Sequence, residues 1–90
     1  MKILGFDYEI VLGKMEEFGH CNSGDMVIAI SEDINEQQVT STLIHEIIEA
    51  INTHMELKLK HSQIARLEAG LYCVFRENKI DLKPLLGDQA

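Results

Sequence analysis

His45 and Glu49 stand four residues apart in the run Thr42-Leu43-Ile44-His45-Glu46-Ile47-Ile48-Glu49-Ala50-Ile51, with Glu46 between them. An imidazole and a carboxylate at that spacing project from one face of a helix, and both are accepted zinc ligands. In the H-E-x-x-H pattern two histidines so placed bind one metal, while the intervening Glu takes a proton from the metal-bound water. Here Glu49 occupies the place of the second His. The spacing survives the exchange, and the donor set changes. The chemistry these residues suggest is metal-assisted hydrolysis, with Glu46 as the general base.

A hydrolytic zinc centre takes three protein donors and keeps an open position for water. The third donor must come from further along the chain, and His61 and Glu68 are the candidates. His61 completes a set of two His and one carboxylate. Glu68 makes a set of one His and two carboxylates, less selective for zinc over manganese or iron. It serves equally as a hydrogen-bond acceptor behind a ligand imidazole, or as a carboxylate at the core edge paired with Lys60 or Arg66. The expected ligands are therefore His45, Glu49 and His61, with Glu68 as the alternative ligand or the acceptor behind one. The expected cofactor is Zn2+ or another divalent ion. His54, nine residues after His45, falls on the opposite side of a continuous helix and is read as a helix-end residue. His20 and Cys21 form a loop pair with no third partner at fixed spacing.

The elements that must position these groups are legible in outline. Leu4, Phe6, Tyr8, Ile10 and Leu12 alternate with Gly5, Asp7 and Glu9, the period of a half-buried strand. Gly13 to Asp25 is polar and reads as a connection, with turn chemistry at Asn22-Ser23-Gly24-Asp25. Met26 to Ile30 reads as a second strand. Asn35 and Gln38 form a capping-box pair, so a helix is predicted from there to about Glu56. Its apolar arc is Val39, Leu43, Ile44, Ile47, Ala50 and Ile51; His45, Glu46 and Glu49 fall on the polar side. A second helix, capped at His61 or Ser62 and running to about Asn78, carries the stripe Ile64, Leu67, Leu71, Tyr72 and Phe75, with Glu68 in its midst. After Lys79 the tail offers Ile80, Leu82, Leu85 and Leu86 for docking back on the body.

Ninety residues, 46% hydrophobic and 26% charged, make one small domain spanning 1–90. The fold class expected is α+β, a small antiparallel sheet packed on two main helices. The balance of 15 acidic to 8 basic residues, a formal charge of −7, disfavours nucleic acid and anionic membranes. No apolar run approaches a membrane span and no signal segment opens the chain, which points to a cytoplasmic protein. Cys21 and Cys73 have no C-x-x-C spacing and read as free thiols.

From Met26 to Leu86 the chain resembles short zincin-like metallopeptidases of phage and prophage type. The residues carrying the likeness are Ile28 and Ile30, the run Thr42 to Asn52, the segment Leu57-Lys58-Leu59-Lys60-His61-Ser62-Gln63-Ile64, and Leu67-Glu68-Ala69-Gly70-Leu71-Tyr72. The resemblance implies a minimal zincin-like architecture, with His45 and Glu49 as ligands, Glu46 as catalytic base and His61 as third ligand. It also implies a peptide or protein substrate bound by strand pairing, for which Met26 to Ile30 is the expected platform. Tyr72 is offered as an oxyanion donor only through its nearness to His61. So short a chain leaves little room for specificity pockets, so oligomerisation or a partner protein is expected to complete the cleft. The competing expectation is a small acidic interaction protein, inactive as an enzyme, with a structural or vestigial metal site.

Overall fold

The computed structural model describes residues 1–89. The elements run β1 (Lys2–Ile3), β2 (Phe6–Asp7), β3 (Glu9–Gly13), β4 (Gly19–Asn22), β5 (Val27–Ser31), α1 (Glu36–Met55) and α2 (His61–Glu77). A 3-10 segment over Lys83–Gln89, kinked at Gly87, closes the chain. The class is α+β, two helices packed on small sheets.

Helix α1 starts where local chemistry dictates. The Asn35 side chain accepts from the Gln38 N–H (2.8 Å) and the Gln38 carboxamide accepts from the Asn35 N–H (3.0 Å), the reciprocal capping box. The helix ends at Glu56, whose left-handed backbone turns its N–H back to the carbonyls of Asn52 and Thr53. Asn52 then fixes the reversal, because its carboxamide oxygen accepts from the Leu59 N–H at 2.9 Å. Helix α2 begins one residue after Lys60, whose N–H donates to the Gln63 carboxamide (2.8 Å). The cap is thus Lys60, where His61 or Ser62 was expected.

The strands differ from expectation in three respects. Leu4 and Gly5, both at positive φ, make the turn between β1 and β2, so the alternating run from Leu4 to Leu12 is broken into pieces. The supposed connection from Gly13 to Asp25 contains β4. The main sheet is also mixed, not antiparallel: β5 lies in the middle, parallel to β3 and antiparallel to β4. With both of its sides hydrogen-bonded, the Met26 to Ile30 segment cannot receive a peptide strand. The edge next to the helices belongs to β4.

Helix α1 is packed on two sides. Leu43 and Ala50 join Ile3, Tyr8, Ile10, Ile28, Ile30 and Leu86 against the sheet, while Ile44 and Ile48 meet Ile64 of α2. At the end of α1, Tyr8 hydroxyl and His54 Nε2 share a hydrogen bond (2.5 Å), and Phe6 stacks on the same imidazole at 4.2 Å. His54 is thus a helix-end residue, as expected, and it ties β2 and the residue after it to α1. Helix α2 is rotated from its expected setting. Its inward side is Ile64, Glu68, Tyr72 and Phe75, whereas Leu67 and Leu71 are 47% and 38% exposed. A helix with a single neighbour buries one narrow stripe, and the partners of Glu68 on α1 decide which. In the tail Leu86 is buried and Leu82 half-buried; Ile80 and Leu85 stay exposed. Among the described residues no helix is long and apolar enough to cross a membrane.

Ile64 is the one buried residue of α2, so truncating it leaves a cavity in the helix–helix seam. Ile64→Ala should lower unfolding free energy by about 3 kcal/mol, and Leu67→Ala by less than about 1 kcal/mol, in urea titrations of dilute protein followed by circular dichroism.

Candidate functional site

The site is built where β4 and α2 both meet the first half of α1. On the strand side the decisive residue is Gly19. A Cβ added there would overlap the Thr42 methyl and lie 3.1 Å from both the Ala29 carbonyl oxygen and Glu46 Oε2. Only glycine lets the strand come this close to the helix. The consequence falls on Glu46, which was expected on the polar side of α1. It is 6% exposed, because β4, a strand with no local sequence signal, covers it.

Burial governs the chemistry of that carboxyl. Desolvation raises the Glu46 pKa from 4.5 to about 7; the adjacent His45 counters the rise, Glu49 adds to it, His20 counters it and Glu17 adds to it. A carboxyl near neutrality exchanges a proton readily with bound water, the property a general base or acid needs. Cys21, facing α1 from the same strand, has its thiol raised as well. Burial is the main cause; Ser23 opposes it through a hydrogen bond, and Glu46 and Glu49 reinforce it. It is therefore not an activated thiolate.

From the other side, α2 delivers Glu68. His45 Nδ1 donates to Glu68 Oε1 (2.7 Å), and the Ser41 hydroxyl donates to Glu68 Oε2. A carboxylate only accepts, so Nδ1 carries the proton in this contact and Nε2 is the ring nitrogen that Glu68 leaves free. Glu68 thus pairs with His45 and Ser41, and not with Lys60 or Arg66. Between strand and helices lies a cavity of about 300 Å³, lined by Phe18 and Gly19 on one side, by Ser41, His45 and Glu46 along α1, and by Glu68 opposite.

No protein-family model, curated protein or solved structure matches this chain. What the site can do is judged from its own groups.

As donors, His45 and Glu49 suit a divalent ion, and the Glu68 contact is the one that commonly fixes a ligand imidazole. The assembly stops short of three. Among the described residues no three His, Cys, Asp or Glu are grouped so as to hold a metal. His61, the expected third ligand, is exposed at the first position of α2. The two helices run antiparallel with Glu68 level with Ser41 and His45. His61, seven residues nearer the link, is displaced about 10 Å along the axis from that level. Tyr72 lines a different cavity, with Glu36 and Arg76, and so does not serve this one as an oxyanion donor. His20 is exposed on β4.

Two measurements check this account. The folded state raises the Glu46 pKa above its unfolded value, so the stability tied to its proton is complete below about pH 4.5 and is lost as pH rises through about 7. Glu46→Gln should remove that loss: in urea titrations without metal, the variant should gain on the parent by about 2 kcal/mol between pH 5 and pH 8. Gly19→Ala should destabilise the fold by about 1–3 kcal/mol and return the Glu46 carboxyl towards its ordinary titration range, seen by carbon-detected NMR.

Proposed function

We propose that this protein is a small metal-dependent hydrolase of peptide bonds, a minimal zincin-like metallopeptidase, with Glu46 as its general base. The observation that carries the reading is the Glu46 carboxyl itself, enclosed between α1 and β4 beside a cavity and next to an imidazole held by Glu68. His45 and Glu49 are the residues that would hold the ion, with Glu68 as the further donor. When bound, the ion supplies Lewis-acid polarisation of water and carbonyl.

The chain's own residues do the rest. Glu46 accepts a proton at its carboxylate from the attacking water and returns it to the leaving amine. Glu68 and Ser41 keep the His45 ring oriented. The outer edge of β4, beside the cavity, offers backbone groups to an extended peptide, replacing Met26 to Ile30 as the platform. The likeness to phage-type proteins belongs to this reading. So does a cytoplasmic setting, where Cys21 and Cys73, both free, would stay reduced.

A second reading differs on whether the site works, and the absence of a three-donor group among the described residues favours its vestigial form. It makes the chain a non-catalytic acidic interaction protein whose metal site is structural or vestigial.

Zinc titration calorimetry and cleavage of a quenched peptide library separate the two. On the hydrolase reading the parent binds about one zinc and cleaves. Glu46→Gln keeps the metal and loses at least about 100-fold in rate. His45→Ala and Glu49→Ala lose the metal, and Glu68→Gln weakens it about 10- to 100-fold if Glu68 only holds His45. Cleavage by Glu46→Gln at the parent's rate would remove Glu46 from the mechanism. Zinc bound without hydrolysis, with stability lost on chelation, would favour the second reading.

A further inference from the structure

We propose that the outward face of α2 is a self-association surface, on which a second copy of this chain docks its own α2 antiparallel. Leu67, Leu71 and Val74 are 47%, 38% and 48% exposed. Their spacings of four and three residues keep them in one line along the helix. Gly70 lies beside them with nothing within 4 Å of where a Cβ would stand, so the line is interrupted by a hollow. None of the four serves the contact with α1, which uses Ile64, Glu68, Tyr72 and Phe75.

The pattern is complementary to itself. When two such helices run antiparallel about a point midway between Gly70 and Leu71, Leu67 of one copy meets Val74 of the other. Leu71 of each then lies against Leu71 of the other on one side of the axis, and the bare Gly70 positions face each other on the other side. The Leu67–Val74 and Leu71–Leu71 contacts share one two-fold axis, the requirement for a closed isologous dimer.

Charge points to the same arrangement. Arg66 and Glu77 lie on one flank of the stripe at opposite ends, and among the described residues neither forms an ion pair within the chain. The antiparallel arrangement brings Arg66 of each copy beside Glu77 of the other. A parallel one puts the two flanks on opposite sides of the seam and leaves both charges unpaired. A single helix pair buries less than the roughly 1,200 Å² at the lower end of stable interfaces, so the dimer is weak and half-formed at a concentration on the order of 100 µM.

Sedimentation velocity of the full chain from micromolar to millimolar concentration tests this. The parent should pass from monomer to dimer. Leu71→Glu should stay monomeric throughout, with an unchanged melting curve at low concentration because the site is exposed. Arg66→Glu and Glu77→Arg should each weaken the dimer about fivefold, and the double variant should recover the parent affinity. A parent that is monomeric at millimolar concentration overturns the proposal, and that result would leave the stripe to an unrelated partner. Leu71→Glu dimerising like the parent also overturns it, and failure of the double variant to recover overturns the antiparallel arrangement.

Discussion

At Gly19 the edge strand and α1 approach so closely that no side chain fits between them, and much of the molecule's chemistry follows from that approach. It covers Glu46, which would otherwise be a surface carboxylate like most of the acidic residues here. It also makes one wall of the cavity and holds the free edge of β4 alongside it. A side chain at position 19 would force strand and helix apart, and water entering the gap would restore an ordinary carboxylate. Backbone proximity therefore sets a proton affinity.

The second support is the Glu68 carboxylate. In a helix whose inward side is otherwise Ile64, Tyr72 and Phe75, a charge is expensive unless it is paired. It is paired twice, with His45 and with Ser41. That pairing fixes the rotation of α2 about its own axis, and with it which apolar residues go in and which stay out. The exposure of Leu67, Leu71 and Val74 follows from this choice. Packing of α1 and α2 and orientation of the His45 ring are two results of the same contact.

The parts legible in the sequence are those governed by neighbours in sequence. The capping box at Asn35 and Gln38, the extent of α1 and the inward position of Glu68 all depend on residues within a few positions of one another. Strand β4 was not legible, since Gly19-His20-Cys21-Asn22 shows neither apolar alternation nor β-branched residues. It is a strand because β5 pairs with it, a tertiary effect that overrides propensity. The parallel register of β3 on β5 joins residues far apart in the chain and leaves no local trace. The burial of Glu46 was missed for the same reason, because the group that covers it comes from β4. The setting of α2 was misjudged because its apolar residues span two adjacent arcs, and periodicity alone does not choose between them.

Five non-glycine residues among those described, Leu4, Met26, Glu56, Lys58 and Lys79, hold positive φ. For an L-residue that conformation costs roughly 1–2 kcal/mol, so together they withhold an amount comparable with the whole net stability of a small domain. The strain lies in turns and at helix ends, away from Glu46 and from the seam at Ile64. Glu56, which ends α1 in the place where glycine is usually found, shows it most plainly. A thermostable form of this protein is therefore within reach through its connections alone, leaving core and cavity untouched.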